Sequence, residues 1–359
     1  MNPHCLNDFV HLFAKNGTAR LTTIAVALLI ATGCAGTAPS EGTSTSSASG
    51  ETAGQPLKLP TEPDYEEEKL RFQRGTEPYY GLAAYDLKQA EPQATRADAQ
   101  ALAKSAANGD MKTQYLLGIS YARGTGVPQD YALAHEWFRK AASRGYAKAQ
   151  IFLGVMSEQG RGTAQDYVEA RRWYEKAARR NADAQFLLGL MYFQGKGVPL
   201  DYGKAHRWFW QAAGNHSTEA QVNLGWMAEY GRGGEQDYTL AMRNYLKAAK
   251  RGDTLAEYNV GTLHYQGKGV PQDNAQAALW LQKAADKDYA PAYYSLGVIA
   301  FTSGPERDAL AAYRWFSLAR LADYPGVRYN VDRSAAELTP QQRAQADTWI
   351  RDWQAVHRR

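Results

Sequence analysis

Five aspartates recur along the middle of the chain and are the first residues that suggest chemistry. They lie 35 or 36 residues apart, at Asp130, Asp166, Asp201, Asp237 and Asp273. A row of carboxylates is the kind of ligand that Ca²⁺ prefers. Each aspartate, however, stands alone just before a segment with a helical pattern, where its side chain would accept hydrogen bonds from the first free backbone amides. We therefore interpret the row as helix caps and predict no metal and no cofactor.

Histidines and serines, the usual partners in acid–base and nucleophilic catalysis, form no recognisable motif. His206, His216 and His264 are scattered, without the paired spacing of zinc ligands. The sequence has no G-x-S-x-G motif, and no serine is followed by a lysine three places on. We expect a protein that is not an enzyme. An enzyme acting on peptidoglycan or on a β-lactam stays as an alternative, because missing motifs alone do not exclude one.

A basic residue recurs between helical segments, at Arg161, Lys196, Arg232 and Lys268. The surrounding G-K-G sequences resemble phosphate loops, but they follow a helical pattern and repeat, which favours hairpin turns. The formal net charge of the whole chain is +4, and such a small excess does not indicate binding to nucleic acid. The basic row predicts either solvated turns or a contact with anionic glycan or lipid head groups.

The element that must position all these residues is a repeat. Its clearest copy runs from Gln114 to Ala142, and its glycine recurs at intervals of 35 or 36 residues, at Gly118, Gly154, Gly189, Gly225, Gly261 and Gly297. A fixed period of this length indicates a stacked array, because one unit cannot bury its own apolar face. The sequence therefore predicts repeated units that bury their apolar faces against one another.

Each unit has the pattern of a helix hairpin. The first helix, called helix A, places Gln114, Leu117, Gly118 and Tyr121 on one face, and the second, called helix B, has an apolar stripe from Ala134 to Ala142. The glycine-rich stretch between them ends helix A, and Pro128 prevents its continuation. The glycine that recurs in each unit, here called the register glycine, has no side chain and so leaves room for a large residue such as Phe138. We predict an all-α solenoid of stacked hairpins.

The N-terminal region differs in composition from the array. Residues 1–33 have the basic start and the short apolar run (Leu21 to Ala31) of a secretory signal peptide. The stretch LLIATGC resembles a bacterial lipobox, which implies lipidation of Cys34. Ala35 and Gly36 follow this cysteine, and in the sorting rule for such lipoproteins their presence implies the outer membrane, facing the periplasm. A signal peptide with an incidental cysteine is the alternative.

These patterns divide the chain into five segments. Residues 1–33 are the expected signal peptide, and residues 34–60 form a lipid-anchored tether rich in Gly, Ser and Thr. Residues 61–111 are expected to form an N-terminal cap that contains a degenerate repeat. The repeat array covers residues 112–324, and capping helices follow in residues 325–359. Terminal units of a stacked array are atypical because one of their faces meets water.

The repeat pattern, with its L-G pair, G-x-G-V turn, D-Y pair and W-F-x-K-A-A ending, resembles the Sel-one-like repeat, a relative of the tetratricopeptide repeat. The resemblance implies a right-handed α-solenoid that acts as a protein-binding scaffold. Together with the lipobox, it predicts an outer-membrane lipoprotein that holds another envelope protein or complex. A scaffold of an exopolysaccharide export complex, of the alginate type, is the alternative within binding functions.

Helix A is expected to line the concave groove of such a solenoid. The positions three before, one after and four after the register glycine predict an aromatic groove formed by Tyr115, Phe186, Phe193, Trp226, Tyr258, Tyr265, Tyr294 and Phe301. Lys148, Asp183 and Glu229 are its expected polar neighbours. Exposed tyrosine and tryptophan suit a surface that grips a peptide or a sugar ring. The alternative is that these rings pack one repeat against the next. On the groove hypothesis, removing Trp226 and Tyr258 abolishes partner binding without loss of helicity.

Overall fold

Every regular element in the described part of the chain is an α-helix. A computed structural model describes residues 96–179, 181–302 and 307–357. Within these ranges the structure has fifteen helices and no strand. The helices are α1 Arg96–Ala107, α2 Met111–Arg123, α3 Tyr131–Ser143, α4 Ala147–Gln159, α5 Tyr167–Ala177, α6 Ala182–Gln194, α7 Tyr202–Gly214, α8 Thr218–Glu229, α9 Tyr238–Ala249, α10 Thr254–Gln266, α11 Asn274–Ala285, α12 Ala290–Thr302, α13 Ala309–Leu321, α14 Arg328–Ala336 and α15 Pro340–His357.

The predicted signal peptide, Cys34, the tether and residues 61–95 of the predicted N-terminal cap lie outside the described residues. The same applies to residues 303–306, between α12 and α13 in the sequence. The cap is described from α1 onwards, and this helix packs against α2, with Ala106 buried between them.

The helices from α2 to α13 form six consecutive hairpins, and each second helix also packs against the first helix of the next hairpin. The predicted all-α solenoid of stacked helix hairpins is therefore confirmed. The two helices of a hairpin differ in burial. In α8, an A helix, every residue from 220 to 229 is buried. In α7, the B helix of the preceding hairpin, the buried residues are Ala205, Phe209 and Ala212. The B helices therefore carry most of the exposed surface.

Each register glycine faces a large side chain of the following B helix. A Cβ atom added at Gly118 would lie 2.6 Å from the ring of Phe138, and one added at Gly225 would lie 2.6 Å from the ring of Tyr245. Real Cβ atoms do not approach this closely, so the large side chain of helix B fills the space that a side chain on helix A would need. The predicted packing of small against large residues is confirmed.

The two glycines of the G-x-G turn have different roles. Gly160 adopts a left-handed conformation with φ of +66° and ends α4. Gly162 also has a positive φ, of +70°, and an added Cβ atom would collide with the backbone carbonyl of Tyr131 in the preceding hairpin. The second glycine therefore allows the turn of one repeat to lie directly on the start of the previous B helix.

The five recurring aspartates cap the B helices, as predicted. Asp130 accepts a hydrogen bond from the amide of Leu133, and the same arrangement occurs at Asp166, Asp201, Asp237 and Asp273. The backbone amide of Lys204 bonds the Asp201 carboxylate and thereby lowers the pKa of that group. Capping satisfies amides that have no partner within the helix.

The C-terminal helix α15 packs against the last hairpin through aromatic side chains. Ala346 and Ile350 of α15 are buried, and the rings of Trp349 and Trp353 lie 5.2 and 5.1 Å from the ring of Trp315 in α13. The indole nitrogen of Trp353 also donates a 3.2 Å hydrogen bond to the hydroxyl of Tyr293. These contacts cover the apolar side of the last hairpin.

Candidate binding surfaces of the repeat array

Six of the eight aromatic residues predicted to line an exposed groove are buried. They are Tyr115, Phe186, Phe193, Trp226, Tyr258 and Phe301. The expectation that these rings face an open groove is therefore wrong. The physical reason is that neighbouring A helices are packed tightly enough to cover them. The rings of Phe193 and Trp226, on successive A helices, are 5.2 Å apart.

The other two predicted groove residues keep partial exposure. Tyr265 is half-buried, and its hydroxyl lies 3.5 Å from the hydroxyl of Thr302 in the next A helix. Tyr294 is also half-buried, and its ring stacks on Tyr324 at 5.0 Å. Both rings lie in the last repeats of the array. A binding role for the eight residues stays a prediction, and these two are the ones that a partner could reach without a rearrangement.

The polar residues expected beside the groove have different environments. Lys148 is exposed and Asp183 is half-buried, whereas Glu229 is buried and accepts a 2.7 Å hydrogen bond from the hydroxyl of Tyr245. Glu158, which the sequence reasoning missed, is the equivalent residue two repeats earlier and accepts a 3.1 Å bond from Tyr174. Their shared position, four after the register glycine, was the signal that could have revealed the pair.

The basic residues of the turns make contacts between repeats. The guanidinium of Arg161 lies over the ring of Tyr131 at 5.5 Å, and Lys268 lies over Tyr238 at 5.0 Å. Arg232 makes the same contact with Tyr202 at 5.7 Å. Each tyrosine opens the B helix of the preceding repeat, so these are cation–π contacts that join neighbouring units.

Lys196 departs from this scheme, because its ammonium nitrogen lies 3.6 Å from the buried carboxylate of Glu158. It too connects one hairpin with the hairpin before it. The basic row therefore contributes to the contacts between neighbouring repeats, and its side chains do not only face solvent.

Glutamine side chains form a second set of contacts between repeats, which was not predicted from the sequence. The side-chain amide of Gln114 donates a 3.1 Å hydrogen bond to the carbonyl of Ala106, and Gln150 makes the equivalent 3.0 Å bond to Ala142. Gln185 bonds Ala178 in the same way, at 2.8 Å. Each glutamine therefore ties an A helix to the end of the preceding B helix. Glutamine at a fixed place, four before the register glycine, was visible in the sequence.

The accessible parts of the A helices are their two ends. The first turns present Lys112, Lys148 and Glu219, which are exposed, and Asp183, which is half-buried. The last turns present side chains five places after the register glycine, at Arg123, Gln159, Gln194, Tyr230, Gln266 and Thr302. We call the first set the A-helix entry row. Its charge changes sign along the array, from lysine in two repeats to carboxylate in the next two.

A family model describes this architecture. The model of the Sel1 repeat matches six consecutive segments, at residues 112–146, 147–181, 182–215, 218–253, 254–289 and 290–324, which is more than half of the chain. The chain belongs to the Sel1 repeat family. The matched segments begin at residue 112 and end at residue 324.

Two solved structures are similar to this Sel1 chain over most of its length. One is a protective antigen of uropathogenic Escherichia coli with the SLR fold, which is 34% identical with a TM-score of 0.66 over 74% of this chain. The alignment covers 57% of that antigen, so this chain spans less than two thirds of its length. The other is a Sel1 repeat protein from Oxalobacter formigenes, which is 28% identical with a TM-score of 0.58. The alignment covers 99% of that protein. No curated protein matches the sequence.

Sel1 repeat proteins generally mediate protein–protein interactions, and the family is typically not enzymatic. In the described part of this Sel1 array, no group of three or more histidine, cysteine or carboxylate side chains is placed to hold a metal ion. None of the described helices combines the length and the apolar character that crossing a membrane requires. The surfaces that remain for a partner are the helix ends and the outer faces of the B helices.

Proposed function

We propose that this protein is a lipid-anchored scaffold at the periplasmic face of the outer membrane, where its Sel1 array binds another envelope protein. The observation that carries the proposal is the array itself, with six matched repeats stacked into one continuous surface. A solenoid of this kind presents a long surface to a partner, and its repeats supply similar contacts at regular intervals.

The anchor in this proposal is a lipid on Cys34. Support comes from the sequence: an apolar run and the segment LLIATG precede the cysteine, and Ala35 and Gly36 follow it. The Gly-, Ser- and Thr-rich residues 34–60 would then separate the membrane from the array. Mass spectrometry of the protein from its host tests the anchor, because a diacyl or triacyl group on Cys34 supports it and an unmodified cysteine contradicts it.

The binding surface in this proposal is the A-helix entry row together with Tyr294, with Tyr265 as a further contact at the opposite end of its A helix. Lys112 and Lys148 would pair with acidic residues of a partner, and Asp183 and Glu219 with basic ones. Because charge complementarity mainly sets the partner's identity and orientation, a partner segment with carboxylates at one end and cations at the other fits this row. The half-exposed tyrosines would add the apolar contacts.

Crosslinking in whole cells tests this proposal. A photoreactive residue at the exposed position of Lys148 or Glu219 should capture one protein, which mass spectrometry identifies. The same residue at Arg328, which is exposed on α14 outside the array, serves as the matched control. Equal capture from all three positions, or capture of polysaccharide in place of protein, would argue against a protein scaffold.

A further inference from the structure

The outer helices α5, α7 and α9 share an exposed basic surface. Arg172, Arg207 and Arg243 are exposed and occupy the equivalent position in three successive repeats, 35 and 36 residues apart. Because equivalent positions lie on the same side of a stacked array, the three arginines form a row. Lys176 and Lys247 are also exposed and lie one helical turn further along α5 and α9. We call these five residues the outer basic face.

The positive charge of this face has little compensation within the helices that carry it. Neither α7 nor α9 contains an acidic residue. In α5, Glu175 lies 3.8 Å from Arg171, and Glu169 accepts a 3.3 Å hydrogen bond from Trp173. The row ends at Glu136 in the preceding repeat and at Leu279 in the following one. The arginines of this face therefore cover three repeats, and its lysine position continues to the exposed Lys140 and Lys283 in the two flanking repeats.

Apolar side chains protrude from the same sides of these three helices. Trp210 exposes 67% of its surface and stands three residues after Arg207, on the same face of α7. Val168 in α5 precedes Arg172 by four residues, and Leu240 in α9 precedes Arg243 by three, and both are exposed large apolar residues. Each of the three helices thus presents a basic and an apolar side chain together.

We propose that the outer basic face binds the surface of a membrane that contains anionic lipids. Lysine and arginine near a bilayer are attracted to anionic head groups, and an exposed tryptophan is suited to the boundary between head groups and acyl chains. A polyanion such as nucleic acid or an acidic polysaccharide would satisfy the cations, but it would leave Val168 and Leu240 in contact with water. The apolar residues therefore favour a bilayer. This inference does not depend on a lipid at Cys34 or on the A-helix entry row.

Partitioning of the full chain onto two kinds of vesicle tests the inference. One vesicle contains phosphatidylcholine alone and the other a mixture of phosphatidylcholine and phosphatidylglycerol. The readout is the ratio of the two partition coefficients, and this ratio is compared between variants, because any contribution of the N-terminal residues is the same in every variant and cancels in that comparison. We expect the ratio to favour the anionic vesicle and to fall with added salt. Equal partitioning would overturn the inference.

The variants compare the outer basic face with a matched surface elsewhere. Removing three charges by Arg172→Gln, Arg207→Gln and Arg243→Gln should lower the ratio roughly a hundred-fold, at about five-fold for each charge. The control removes three exposed arginines of α13 to α15 by Arg320→Gln, Arg328→Gln and Arg351→Gln. We expect its partition ratio to stay close to that of the unchanged protein. An equal loss in both variants would show attraction by net charge and would contradict a specific face.

The tryptophan is tested separately. Trp210→Ala should weaken binding to the anionic vesicle several-fold, whereas Val356→Ala, at a residue that is also 67% exposed, should not. Retention on heparin or on alginate without binding to anionic vesicles would assign the face to a polyanion and would overturn the membrane assignment. Far-ultraviolet circular dichroism on each variant confirms that the helices remain folded.

Discussion

A Cβ atom added at Gly189 in α6 would lie 2.5 Å from the ring of Phe209 in α7. Phe209 is completely buried, so its ring packs within the core and does not border solvent. Five other register glycines have the same relationship with a large residue of the following B helix. This contact sets the distance between the helices in every hairpin.

Enlarging Gly189 should therefore destabilise the array. We expect Gly189→Leu to lower the free energy of unfolding by about 1–3 kcal/mol, because it forces the Phe209 ring or the backbone to shift. Chemical denaturation measures the change. Gly214→Leu is the matched control, because no atom lies within 4 Å of a Cβ added there. An unchanged midpoint for Gly189→Leu would contradict the tight contact.

Trp226 and Tyr258 should behave as core residues, because both are buried. We expect Trp226→Ala to cost about 3–5 kcal/mol, which is the usual penalty for removing a buried large aromatic side chain. Tyr265→Ala, at a half-buried residue of the same predicted set, should cost clearly less. Thermal unfolding followed by circular dichroism compares the two. Similar melting temperatures for the two variants would contradict the role of Trp226 in packing one repeat against the next.

Leu200 occupies a turn position where four of the other five repeats have glutamine, and it exposes 56% of its surface. The amide of Gln129 donates a 2.9 Å hydrogen bond to the carbonyl of Ala122, and Gln165 makes the same 2.8 Å bond to Glu158. Leu200→Gln should restore this bond and stabilise the protein by about 0.5–1.5 kcal/mol. The converse variant Gln165→Leu should destabilise it by a similar amount. Destabilisation by Leu200→Gln would refute this account of the turn.

Asp253 should make stability depend on pH in an unusual direction. Burial raises the pKa of its carboxyl group, while the hydrogen bond from Ala256 opposes that effect. A group with a raised pKa in the folded state favours folding when protonated, and its contribution is lost as the pH rises through that pKa. Asp253→Asn should therefore stabilise the protein at neutral pH, since Asn181 shows that asparagine caps an A helix equally. The gain should disappear below the ordinary aspartate pKa of 3.8.

Asp110 provides the matched control for that prediction. It caps α2 at the equivalent position, but the hydrogen bonds from the side chain and the backbone of Thr113 lower the pKa of its carboxyl group. Its stabilising contribution is therefore present above the ordinary aspartate pKa and is lost as the pH falls. Asp110→Asn should reduce stability at neutral pH. Shifts of the same sign in the two variants would contradict the assignment of their pKa changes.

The A helices illustrate where sequence reasoning succeeded and where it failed. Their existence, their ends and their register followed from local rules. Gly160 ends a helix because it takes a left-handed conformation readily, and Asp130 begins one because it accepts hydrogen bonds from free amides. Both rules act within a few residues. They do not specify how closely one hairpin packs against the next, and that packing buries Phe193 and Trp226.

The sequence by itself determined the period, the hairpin unit, the capping residues and the pairing of glycine with a large side chain, because each depends on contacts within one repeat. The tertiary structure alone decided which sides of the helices stay open. Tyr258 became a core residue and Trp210 an exposed one, although both are large aromatic residues on amphipathic helices. The reason is that exposure depends on the neighbouring repeats, whose relative placement is set by joints such as Lys196 with Glu158 and the glutamine bonds.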